Sequence, residues 1–210
     1  MKTLPLKIIL LVAALWLPLC ASAAENISAA EKNILVFGDS LSAGYGIAVA
    51  ENWVSLLQQE LQRTHPEYRI VNASISGETA LGGRQRIAKA LRQHRPAVVI
   101  LELGANDGLR GFGVAGIETD LGRIIGDIHQ ARAEVLLVGM KLPPNYGELY
   151  ATQFGKMYAG LAKKYRVRLL PFLLEGVAPG QFQADNLHPA KEAQPLLMRN
   201  VLKELKPLLR

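Results

Sequence analysis

Ala97-Val98-Val99-Ile100-Leu101-Glu102-Leu103 is apolar at six of seven positions and is bounded by Pro96 and Gly104. A strand with one wet face alternates between apolar and polar residues, whereas a parallel strand covered by helices on both faces does not. The run is long enough for a strand and too short for a typical helix, so it reads as the central strand of a parallel sheet. The chain alternates outward from it. Upstream, residues 34–37 and 69–73 read as strands, each followed by a helical pattern. The helix that begins near Asn52 carries Trp53, Leu56, Leu57 and Leu61 on one face, and the next spans about 83–94. Downstream come a helix near 117–131, a strand at 134–140, a helix near 149–165, a strand at 167–172 and a last helix near 190–206. Five strands with helical crossovers make a three-layer, doubly wound (flavodoxin-like) α/β fold around a central five-stranded parallel sheet.

In such sheets ligands bind beyond the carboxyl ends of the strands, near the switch in strand order. The loops expected there hold the residues of chemical interest. Gly38-Asp39-Ser40-Leu41-Ser42 follows the first strand, and Gly38 allows the sharp exit that leaves Ser40 at the strand's edge. A serine hydroxyl needs a base, usually a histidine whose other nitrogen is held by a carboxylate. Of the four histidines, His65, His94 and His129 sit at helix ends or on a charged helix side. His188 stands in Asp185-Asn186-Leu187-His188-Pro189, where one local turn brings carboxylate to imidazole. Oxyanion donors are available as the backbone N–H groups of Ser40 and Gly77 and the side-chain amide of Asn106. Each motif has an ordinary reading as well: Asp39 and Asp185 as helix caps, Asn106-Asp107-Gly108 as a turn. Asp39, next to Ser40, is expected to point away and brace the loop.

Taken together in this order, the motifs around Ser40, Gly77, Asn106 and His188 resemble the SGNH hydrolases, also called the GDSL lipases and esterases. The resemblance spans nearly the whole chain after its leader. Val71-Asn72-Ala73-Ser74-Ile75-Ser76-Gly77 and Leu103-Gly104-Ala105-Asn106-Asp107-Gly108-Leu109-Arg110-Gly111 are similar to the bacterial periplasmic branch of multifunctional thioesterases, arylesterases and lysophospholipases. The resemblance implies Ser40 as nucleophile, His188 as base, Asp185 as its orienting acid, and Ser40, Gly77 and Asn106 as the oxyanion hole. It implies a serine esterase and thioesterase acting on aryl esters, acyl thioesters or lysophospholipids through an acyl-enzyme. No cofactor is expected, and a metal held by Asp39, Asp107, Asp185 and His188 has no ligand-spacing signature. Substrate contacts are expected from Leu109 and Phe112, which stand among Gly108, Gly111 and Gly113 as a lid, and from Pro143 and Tyr146. Two alternatives are an acyltransferase on the same scaffold and a non-catalytic flavodoxin-like binding domain; the latter lacks a phosphate-binding glycine motif.

The N-terminus is separate from the domain. Lys2 and Lys7, a mostly apolar run over 8–19 and Ala21-Ser22-Ala23 form a secretory signal peptide over residues 1–23, which leaves a hydrolase domain at 24–210. The apolar run is shorter than the roughly 20 residues that span a bilayer, so no stable membrane anchor is expected in the mature form. Leu19 before Cys20 argues against lipidation. Cys20 is the sole cysteine, so the exported domain has no disulfide and relies on its core. Loss of Lys2 and Lys7 lowers the formal net charge from +6 to +4, spread without a basic aromatic stripe, which speaks against nucleic-acid binding. A periplasmic monomer acting on small acyl substrates is the expectation.

Overall fold

The computed structural model describes residues 31–210, so the leader read at residues 1–23 lies outside it. Strands β1 (Lys32–Gly38), β2 (Tyr68–Asn72), β3 (Val98–Glu102), β4 (Glu134–Val138) and β5 (Arg168–Leu170) form one parallel sheet in the order β2-β1-β3-β4-β5. This is the flavodoxin-like order, with its switch between β1 and β3. All five residues of β3 are buried, which is why the stretch shows no alternation.

Helices α2 (Trp53–Thr64) and α7 (Gln194–Leu205) pack together on one side of the sheet. On the other side α5 (Val114–Gln130) packs between α3 (Ala80–His94) and α6 (Glu148–Tyr165). The two short helices α1 (Ser40–Ala43) and α4 (Ala105–Leu109) lie at the carboxyl ends of β1 and β3. Ile124, Ile125 and Ile128 of α5, like Leu57 and Leu61 of α2, are completely buried. Each such side chain contributes about 1.5–3 kcal/mol of burial free energy, so the sheet's covered faces hold the domain without a disulfide.

The structure departs from the expected elements near the strand ends. Helix α3 starts at Ala80, three residues before the expected Gly83, because Thr79 Oγ1 accepts from Gly82 N (3.1 Å) and Asp107 Oδ2 accepts from Ala80 N (2.9 Å). The stretch after Asn106, expected to be an open loop, begins inside α4. The paired prolines Pro143 and Pro144 disfavour an α-helix start, and only a single 3-10 turn forms at Pro144–Tyr146. Such a turn needs only an i→i+3 bond, here Tyr146 N to Pro143 O at 3.2 Å.

Candidate active site

Strand β1 ends against β3, with Gly38 opposite Glu102. A Cβ at Gly38 would come within 2.6 Å of Glu102 Oε2 and 2.8 Å of Ser42 Oγ, so close backbone approach requires glycine here. The next residue, Asp39, is buried and caps α1, its Oδ1 accepting from Leu41 N at 3.0 Å. The amides of Asn52 and Asn72 donate to the Ser42 carbonyl at 2.9 and 2.8 Å. These bonds fix the turn and leave the half-buried Ser40 facing His188.

His188 comes from the loop between β5 and α7. A bridge between Phe182 and Pro189, a bond from Gln183 N to His188 O (2.8 Å) and the left-handed Asn186 (φ 56°) close that loop into a tight turn. Inside it, Asp185 Oδ1 accepts from the backbone N–H groups of His188 (3.0 Å) and Leu187 (2.9 Å), while Oδ2 lies 2.6 Å from His188 Nδ1. Those backbone donors, and then the imidazole, hold the Asp185 carboxyl down at about 2. Ionised Asp185 keeps the proton on Nδ1, which leaves Nε2 free to accept from Ser40 Oγ at 2.8 Å. Tyr45 packs against the imidazole at a tilt of 39°, the ring centroids 4.6 Å apart.

The oxyanion candidates converge on the same rim. Gly77 has φ 79°, and a Cβ there would meet nothing closer than 4.0 Å, so conformation rather than space calls for glycine. Among the described residues neither Ser40 N–H nor Gly77 N–H has a protein acceptor. Asn106 differs. Its Nδ2 donates to Asp39 Oδ2 and to the Glu78 carbonyl, both at 3.0 Å. Asp39 was expected to point away; it braces its own turn as expected, but it also reaches across to orient Asn106. Arg86 in turn grips Glu78, with Nε 2.5 Å from Oε2, and donates to the Ala73 carbonyl at 2.7 Å.

A largely apolar cavity of about 420 Å³ opens beside Ser40, His188, Gly77 and Asn106. Leu109 and Pro143 line it, as expected; Phe112 and Tyr146 do not. Phe112 is 48% exposed, and the Tyr146 hydroxyl donates to the Leu109 carbonyl (3.1 Å), bracing the loop from outside the cavity. Sequence reading missed Met140, Leu142, Phe172 and Leu174, whose signal was only their position just past strand ends, and Phe182, farther along the loop that carries His188. It also missed Glu102, legible as the single acid within an otherwise apolar strand. Among the described residues no cluster of three His, Cys, Asp or Glu side chains could hold a metal ion. No helix there is long and apolar enough to cross a membrane.

Residues 36–194 match the family described as GDSL-like Lipase/Acylhydrolase, which is most of the chain and contains every residue of the rim. The chain belongs to this family. As a GDSL-like acylhydrolase it is a hydrolase of acyl esters. It is 46% identical over 183 residues to Esterase TesA of Pseudomonas aeruginosa, covering 86% of this chain and 91% of that one. To the Thioesterase 1/protease 1/lysophospholipase L1 of Escherichia coli K12 it is 43% identical over 183 residues, 86% of each chain. A crystal structure of the psychrotrophic esterase EstA from Pseudoalteromonas, inhibited by monoethylphosphonate, superposes with a TM-score of 0.81 at 37% identity. That match covers 85% of this chain and 99% of EstA.

Proposed function

We propose that this acylhydrolase cleaves aryl esters, acyl thioesters and lysophospholipids through an acyl-enzyme on Ser40. The observation that carries the reading is the unbroken line of short contacts from Ser40 Oγ through His188 to Asp185. Ser40 Oγ attacks the acyl carbonyl carbon while His188 Nε2 takes the hydroxyl proton, and ionised Asp185 stabilises the imidazolium. The carbonyl oxygen becomes an oxyanion that accepts from Ser40 N–H and Gly77 N–H. Asn106 joins them by sharing or releasing one of the two bonds its amide now makes to Asp39 and Glu78. Collapse expels the alcohol or thiol, protonated by His188. Water then attacks the acyl carbon, giving its proton to His188 and releasing the acid and free Ser40.

The cavity supports the substrate class. Its apolar lining suits an acyl chain, and each methylene buried there contributes about 0.8 kcal/mol, whereas a small polar acyl group gains little. Names of the relatives given above point the same way. Water as the acceptor, rather than a second alcohol, is read from the family. Product analysis with and without an added acceptor alcohol tests it. Activity on a chromogenic short-chain ester that a serine-directed organophosphate abolishes supports the enzyme; unchanged turnover after full modification would refute the acyl-enzyme. Export rests on the leader at residues 1–23, and N-terminal sequencing of the mature periplasmic protein should give Ala24 first. The mature domain is read as a monomer without a membrane anchor.

A further inference from the structure

Glu102, the last residue of β3, is completely buried directly beneath the Ser40 turn. Its Oε2 accepts from Ser42 Oγ at 2.7 Å and from Asp39 N at 3.3 Å, and its Oε1 has no partner. Thus the carboxyl holds the turn on both sides of Ser40, by the residue before it and by the second residue after it. The charged groups that face it are few. Asp39 comes from the turn after β1, and the Tyr158 hydroxyl from α6 donates to the neighbouring Leu103 carbonyl (3.0 Å). No cation is hydrogen-bonded to it among the described residues. A buried carboxylate without a cation and with one bare oxygen is very costly, while the neutral acid leaves only an unpartnered hydroxyl. Two adjacent buried carboxyls also do not ionise together. Asp39 has the better claim to the charge, since Leu41 N–H and the Asn106 amide both donate to it and His188 is close enough to favour its ionised form.

We infer that Glu102 is a positioning residue held as an uncharged acid, which anchors the Ser40 turn through Asp39 N–H and Ser42 Oγ and leaves the pair's one negative charge on Asp39. Burial, and then the Asp39 charge, push the Glu102 carboxyl well above the usual range, in agreement. The arrangement has a consequence for catalysis. A second negative charge beneath Ser40 would oppose the oxyanion that forms there, whereas one charge, on Asp39, suffices with the Glu78 carbonyl to align the Asn106 amide. The kinetic part of the inference rests on Ser40 being the nucleophile; the protonation part does not.

Two variants of the purified mature protein separate these. Glu102→Leu removes the acceptor, so kcat on a chromogenic ester should fall at least tenfold with KM unchanged. Glu102→Gln restores a neutral acceptor and should recover most of that loss. Thermal unfolding from pH 4.5 to 8 gives the second readout. An acid whose folded pKa is raised binds more protons folded than unfolded, so the wild type loses stability as pH rises above the unfolded value near 4.5. The Tm of Glu102→Gln minus that of wild type should therefore climb with pH across this range. A difference that is flat or falls with pH would overturn the uncharged acid, whatever the kinetics. Wild-type kcat in Glu102→Leu, or no recovery in Glu102→Gln, would overturn the positioning role; if Glu102→Leu does not fold, the Glu102→Gln profile still decides the protonation state.

Discussion

Asp39 and Asp185 are the same residue type, flank the same serine–histidine pair and accept backbone N–H bonds, yet their environments set them apart in opposite directions. Asp185 lies on the rim, where the backbone donors of His188 and Leu187 hold its carboxyl down at about 2. Asp39 is buried beside Glu102, and desolvation pushes it up to about 6 despite the donors from Leu41 and Asn106. Adjacency to Ser40 in sequence therefore says little about which acid lies against the histidine. What decides is which carboxylate faces Nδ1 while remaining ionised, and that is Asp185.

The sharpest way to break this contrast is kinetic. Ser40→Ala and His188→Ala should each lower kcat by about 10⁴-fold or more with the fold intact, since both side chains sit on the rim outside the core; near-wild-type rates in either would dissolve the proposed triad. Asp185→Asn should cost less than either but more than Asp39→Asn at matched stability, and the reverse order would reassign the acid. Asn106→Ala should lower kcat by about 10²–10³-fold with little change in KM, the size of losing one oxyanion donor. An effect confined to KM would make Asn106 a ground-state contact.

Smaller effects sharpen the contrast through pH. Asp185 has a folded pKa below its unfolded 3.8, so its contribution to stability is complete above that value and disappears as pH falls toward 2. The Tm advantage of wild type over Asp185→Asn should shrink on acidification below pH 4. Asp39 has a folded pKa above 3.8, so its burden on stability grows as pH rises from about 4 to 6. The Tm of Asp39→Asn relative to wild type should therefore climb over that window. Expressed for both as the Tm of the variant minus that of wild type, the difference should fall with rising pH for Asp185→Asn and climb for Asp39→Asn; slopes of the same sign would mean that the two carboxyls do not differ as described. The smallest effect is expected at Leu109, whose replacement by Ser should reduce kcat/KM progressively more as the acyl chain lengthens, leaving acetyl esters and Tm nearly unchanged.

The rim was legible in the sequence because each of its pieces is local. Asp185 and His188 are one turn apart, Gly38 and Ser40 share a strand exit, and the apolar strands announce the parallel sheet that brings them together. Glu102 and Asp39 are 63 residues apart, and their pairing depends on the β1–β3 register that sets Gly38 opposite Glu102. No period or spacing carries that information. The double engagement of Asn106 was hidden for the same reason, since Asp39 and Glu78 reach it from two other strand ends. Phe112 and Tyr146 show the limit of reading apolar loop residues as substrate contacts. Tyr146 and Tyr150 bond the Leu109 and Phe112 carbonyls, at 3.1 and 2.7 Å, and pin the loop from its outer side.

Whether Ser40 is the acyl-carrying residue can be read from one covalent label. A serine-directed organophosphate added to the purified protein should attach once per chain, on the peptide containing Ser40, with esterase activity falling in proportion and no labelling of Ser40→Ala. Label on a different residue, or full ester turnover by protein quantitatively modified at Ser40, would contradict the mechanism.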